Sequence, residues 1–237
     1  MILMFTVFLG LGGTAFTQEK ALPLPELLPK SLEKELALSA APQHLRQDAS
    51  VYLLKRGGYV LDRQGSNGFT CLVRRAGVTP SVFHDIIAPM CFDAEGSRTL
   101  LPAIFEQTRL LEAKRLPQEV LATVEKGFAD GTFKTPRGGI NYMLSAANFL
   151  PDRRNPGHVF HYVPHWMFHA PGLDRKDVGQ PQRVNIFGQE AFVTPPGKPW
   201  SFLVVPMGET ERARVVKDQE ALVARAKAYV RFAERDG

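Results

Sequence analysis

With 237 residues, the chain has room for one large domain or two small ones. Its 44 % hydrophobic and 22 % charged content excludes wholesale disorder. The 29 lysines and arginines outnumber the 24 aspartates and glutamates to give a net charge of +5, but no aromatic-interleaved basic module is present, which speaks against a nucleic-acid partner.

Residues 1–18 are uncharged and apolar, with small residues at Gly13 and Ala15. They read as a signal peptide, although the usual positive start is missing. The run is too short and glycine-rich for a comfortable membrane span, and an uncleaved anchor is the alternative. The expectation is an exported protein, periplasmic or extracellular, with no stable span after cleavage. Residues 19–40 contain Pro23, Pro25 and Pro29 and read as a linker or loose arm, with a short helix over 32–38. A second helix is expected over 41–48, with Ser39 as its cap and Pro42 in its first turn.

Residues 51–75 carry the clearest β signal. Strands are expected over 51–54, 59–61 and 69–73, with turns at Gly57-Gly58 and at Asn67-Gly68, which together make a three-stranded meander. Lys55, Arg56, Arg63, Arg74 and Arg75 cluster here around Asp62, and read as the solvated side of that small sheet. In the third strand Cys71 points inward. Cys71 and Cys91 are the only cysteines. In an exported chain they pair most simply as a disulfide, with two free thiols or a catalytic cysteine as alternatives. Residues 76–90 between them read as a loop with one helical turn around 82–87.

Read as a strand, Cys91-Phe92-Asp93-Ala94-Glu95 places Asp93 and Glu95 on the side of Cys91. They could act as a base or as metal ligands, or simply lie on an edge strand entering a turn. Pro102 and Pro117 open two amphipathic helices over 102–130, the second with Val120, Val124 and Phe128 on one stripe. A loop over 135–139, a strand over 140–144 and a polar turn over 148–156 follow.

Four of the six histidines then fall at 158, 161, 165 and 169, among Phe160, Tyr162, Trp166, Met167 and Phe168. On a helix His161, His165 and His169 would share a face, but Pro164 and Pro171 and the β-favouring composition argue for two short strands bent at Pro164. His165, Met167 and His169 then face one way, and Trp166 and Phe168 the other. Residues four apart on a strand are about 13 Å apart, so His165 and His169 cannot share one ion. Beyond this, short strands are expected over 184–187, 191–193 and 201–205, the last central. A C-terminal helix over 208–237 carries Leu222, Ala226, Tyr229 and Ala233 as its apolar stripe.

The fold class expected is α+β: a mainly antiparallel sheet with the meander, a helical pair packed on it and the C-terminal helix, with 41–207 as a single globular domain. Phosphate-loop, dinucleotide, zincin, serine-hydrolase and Cys-x-x-Cys motifs are missing. Asn-Gly-Phe-Thr-Cys at 67–71, Cys-Phe-Asp-Ala-Glu-Gly at 91–96 and Pro-His-Trp-Met-Phe-His-Ala-Pro-Gly at 164–172 resemble motifs of exported bacterial proteins without an assigned activity. The resemblance covers roughly residues 40–207 and implies a single exported domain, with no catalytic assignment.

Two functions are expected from these residues. The first is binding of a small molecule or protein partner, with Asp93, Glu95, His165 and Trp166 around a His/aromatic pocket. The second is a metal-dependent hydrolase, in which the candidate ligands are His165 with His161 or His169, plus Glu95, around a divalent metal, the only cofactor suggested. Against both stands a purely structural role, an aromatic-rich core whose imidazoles are satisfied internally.

Overall fold

Apolar residues recurring at alternate positions build the sheet that frames the rest of the molecule. The structure is a computed structural model and describes residues 21, 23–77, 83–151, 159–181 and 190–230. The stretches expected as a signal peptide and as a strand over 184–187, as well as His158 and Ala233, lie outside the described residues.

Ten strands are described: β1 (Ser50–Lys55), β2 (Gly58–Arg63), β3 (Thr70–Gly77), β4 (Phe83–Phe92), β5 (Ile140–Met143), β6 (Asn148–Pro151), β7 (Val159–Tyr162), β8 (His165–His169), β9 (Phe192–Thr194) and β10 (Phe202–Pro206). The sheet order is β2-β1-β3-β4-β5-β8-β10-β9, and β6 pairs with both β4 and β7. Every pairing is antiparallel except β1 with β3. The helices are α1 (Lys30–Ser39), α2 (Gln43–Arg46), α3 (Ala94–Thr99), α4 (Leu101–Glu112), α5 (Pro117–Ala129), α6 (Glu209–Asp218) and α7 (Glu220–Lys227). The class is α+β.

The pleat sends alternate residues into two cores. Val51, Leu53, Cys71, Val73, Ile87 and Cys91 pack under α1 and α7. Leu72, Ala88, Met90, Phe92, Met143 and Met167 pack with Leu101, Ala103 and Phe128 of the α4–α5 pair. Cys71 and Cys91 stand directly opposite each other on β3 and β4 and form a disulfide.

Several expectations are corrected by this topology. The 19–40 stretch is not a loose arm, because Leu28, Leu32, Leu36 and Ala37 are buried in the first core. Ser39 does not cap α2; its hydroxyl bonds Leu36 O and Ser145 Oγ, and Pro42 occupies the cap. The meander is not formed. The connection after β2 crosses the start of β1, with the Ser66 and Asn67 N–H groups donating to Asp48 O, and it delivers β3 parallel to β1 on the far side from β2. The expected loop over 76–90 holds β4 from Phe83 onward, not a helical turn. Pro89 fits there because β4 changes neighbour, from β6 at Ile87 to β5 at Cys91, so residues 88–90 have no ladder partner on that side.

Asn148 begins β6 instead of a polar turn. β10 is next to the sheet edge, not central. The C-terminal helix is interrupted at Gln219, whose side-chain oxygen accepts the Ala146 N–H (2.9 Å). The basic cluster is not simply a solvated face: Arg63 donates to Ala49 O and Arg46 O, Arg74 to Gln107, and Arg75 is buried and donates to Tyr229 O.

Candidate functional site

The histidine segment forms two strands joined by Val163-Pro164, because proline interrupts any helix there and the flanking residues are β-branched or aromatic. β8 lies between β5 and β10, with Tyr142 opposite Trp166 and Asn141 opposite Met167. His165, Met167 and His169 are buried on one face, whereas Trp166 is half-buried and Phe168 exposed on the other. His165 and His169 are thus held about 13 Å apart by the strand rise.

Each described imidazole of the segment is engaged by a backbone carbonyl. His161 stacks on Phe149 with ring centroids 5.1 Å apart, and its Nε2 bonds Ala146 O. His165 donates from Nδ1 to Val163 O (2.8 Å) and lies edge-on to Tyr162 at 4.9 Å. Burial pushes its pKa down to about 4, against the smaller opposing effect of the backbone bond, so the ring is neutral. Beside it the buried Tyr162 hydroxyl has no hydrogen-bond partner among the described residues, and burial raises its pKa.

His169 faces two acceptors: Gly138 O at 2.8 Å from Nδ1 and Asn141 Oδ1 at 2.9 Å from Nε2. Both bonds together require an imidazolium. Rotating the Asn141 amide lets Nδ2 donate to Nε2 and leaves the ring neutral. In the unrotated arrangement Asn141 Nδ2 is buried without an acceptor among the described residues.

Asp93 and His169 both approach Gly139 where a side chain would stand. A Cβ on Gly139 would fall 2.3 Å from Asp93 Oδ2 and 3.1 Å from His169 Nδ1, and its φ is +110°. Gly96 is equally confined, with a Cβ there 2.9 Å from both Asn141 Oδ1 and His169 Cε1. Two glycines therefore let the first turn of α3 and the start of β5 close over the His169 ring.

The carboxylates in this junction are already occupied. The expected strand through Asp93 and Glu95 ends at Phe92, because Asp93 caps α3: its Oδ1 accepts the Gly96 N–H (2.7 Å) and its Oδ2 the Ile140 N–H (2.8 Å). Glu95, on α3, accepts the Arg137 N–H at Oε1 (2.9 Å) and pairs with Arg98 through Oε2.

The proposed ligands His161, His165, His169 and Glu95 consequently do not converge, and among the described residues no three His, Cys, Asp or Glu side chains could hold a metal ion. The expected binding set is also divided. Asp93 shares a closely packed junction with His169, not with His165, while Glu95 turns to Arg98 and Arg137 and Trp166 lies on the opposite face of β8. This geometry favours the internally satisfied reading of the histidines.

A cavity of about 550 Å³ opens elsewhere, between the β1–β2 hairpin and helices α4 and α5. Tyr59, Phe105 and Phe133 line it, and the Tyr59 and Phe105 rings are 5.5 Å apart. The Tyr59 hydroxyl donates to Val73 O (2.7 Å), which fixes the ring. Gly127 is required beneath Phe133: a Cβ there would lie 2.4 Å from its ring. The hairpin tip is tied to the end of α4, where Glu112 accepts from Arg56 (3.1 Å) and from the Gly57 N–H (3.3 Å).

Arg109 and Lys126 stand at the rim, paired with Glu106 and Asp130 on their own helices. None of these residues stood out in the sequence as a site. They come from the β1–β2 hairpin, α4, α5 and the turn after α5, and none formed a recognisable motif. Comparison with family models, curated proteins and solved structures finds no match to this chain.

Proposed function

We propose that the protein is a non-catalytic, exported binding domain that holds a small ligand in the groove between the β1–β2 hairpin and α4–α5. The observation that carries this reading is the groove itself. Its volume of about 550 Å³ lies in the range of small-molecule sites, and an aromatic floor under a few charged groups is the usual composition of such sites. Export is supported by the Cys71–Cys91 disulfide, which persists in oxidising compartments. Among the described residues no helix is long and apolar enough to cross a membrane.

The test is an NMR titration of the ¹⁵N-labelled protein with small amphipathic compounds. Binding in the groove moves the amide signals of Gly57, Gly58 and Gly127, and Thr123→Trp, a rim substitution on α5, abolishes those shifts without changing the rest of the spectrum. Shifts confined to residues around His165 and His169, or none at millimolar ligand, would overturn the proposal.

A further inference from the structure

We propose that the ligand is a small amphipathic anion, an aromatic or aliphatic body ending in one carboxylate, with Arg109 and Lys126 receiving the carboxylate. This rests on the groove being a ligand site and names the class of ligand it takes.

The floor decides the body of the ligand. Tyr59, Phe105 and Phe133 present ring faces and edges, and the Tyr59 hydroxyl is already committed to Val73 O, so the floor offers a ligand mainly apolar surface.

The rim decides the head. Its charges balance, two cations against two carboxylates, but its hydrogen-bonding capacity does not. Glu106 uses one acceptor site on each oxygen for Arg109, accepting from Nε and Nη2 at 2.7 Å each. Asp130 accepts Lys126 at Oδ2 (2.6 Å) and both the N–H and the hydroxyl of Thr132 at Oδ1 (3.1 and 2.7 Å). An ionised carboxylate has about four acceptor sites, so about two remain on Glu106 and about one on Asp130, fewer than the donors left on the cations.

The cations retain donors. A guanidinium has five N–H groups and an ammonium three, and these pairings use two of the first and one of the second. Both cations are exposed, at 56 % and 79 %, so their ion pairs are weak and can be shared with an incoming anion. The net charge of +5 adds long-range attraction of the same sign.

The experiment compares three probes of one shape: 3-phenylpropionate, 3-phenyl-1-propanol and 3-phenylpropylamine. Each is titrated into the full chain, with the Gly57, Gly58 and Gly127 amides as the readout. The acid is expected to bind at least about fivefold tighter than the alcohol, and the amine most weakly, because hydrogen bonds to charged groups are roughly twice as strong as neutral ones. Arg109→Gln is expected to bring acid and alcohol within about twofold, chiefly by weakening the acid. Equal binding of acid and alcohol at these amides, or tighter binding of the amine, overturns the anion assignment and leaves the groove standing as a ligand site. Failure of all three probes to move the amides overturns both.

Discussion

Glu33 offers the sharpest quantitative test of the fold. β1 and β3 are paired only at Ser50–Thr70 and Val51–Cys71. Beyond that the ladder lapses and side chains take over: the Leu54 N–H donates to Glu33 Oε1 (2.6 Å), and the Tyr59 hydroxyl reaches Val73 O. Glu33 is 1 % exposed. Burial raises its pKa from the ordinary 4.5 to about 7, although the Leu54 bond and the Lys55 and Arg75 charges pull the other way.

A carboxyl whose folded pKa lies above its unfolded value contributes stability that is complete below pH 4.5 and lost as pH rises through 7. At about 1.4 kcal/mol per tenfold change in proton affinity, the loss is about 3 kcal/mol. His165 acts in the opposite sense. Burial lowers its pKa from 6.5 to about 4, so its contribution is complete above pH 6.5 and is lost as pH falls through 4. Between pH 4.5 and 6.5 the two slopes oppose each other.

Glu33→Gln keeps an oxygen for Leu54 and removes one slope. The assay is reversible urea unfolding of both proteins between about pH 4.5 and 8. The stability of the variant minus that of the parent is expected to rise with pH by about 3 kcal/mol across this range, the change the raised pKa requires. A difference constant to within about 0.5 kcal/mol would refute the reasoning, because Glu33 would then titrate as an ordinary carboxyl.

Three further outcomes are expected. The double variant Cys71→Ala, Cys91→Ala is expected to lose roughly 3 kcal/mol by urea unfolding, the chain-entropy value for a crosslink spanning 20 residues. Gly139→Ala is expected to destabilise by at least about 2 kcal/mol in the same assay, since it combines a left-handed φ with a Cβ in contact with the Asp93 carboxylate. Asp93→Ala, which strips the cap from α3 and the acceptor from the Ile140 N–H, is expected to cost about 2 kcal/mol, and Asp93→Asn about half of that.

The local features of the fold were legible in the sequence. The Gly57-Gly58 turn, the proline-opened helices α4 and α5, and the bend at Pro164 each follow from residues whose φ or missing N–H dictates the backbone. The alternation from His165 to His169 also divided the residues between the two faces correctly, without saying which face is buried.

What was not legible depends on partners distant in sequence. Asn67-Gly68 has the composition of a hairpin turn, yet Asp48 O captures the Ser66 and Asn67 N–H groups and the segment becomes a crossover. Pro89 suggested a loop because the change of neighbour that accommodates it is a property of β5 and β6, not of β4. Asp93 carried a readable cap signal, an aspartate ahead of Ala-Glu-Gly, but the preceding Cys-Phe pair favoured a strand. A meeting of Asp93 with the histidine segment was within reach of sequence reasoning, although it was expected at His165 and is found at His169. That Gly96 and Gly139 fill the space between them was not, because only packing shows what a missing Cβ makes room for.

The most direct measurement is a crystal structure of the protein grown with 3-phenylpropionate. The ligand is expected in the groove, with its phenyl ring against Phe105 and Phe133 and its carboxylate about 3 Å from the Arg109 guanidinium. Ligand density beside His165 or His169, or a groove left empty at saturating ligand, would contradict the assignment of this groove as the site of a carboxylate ligand.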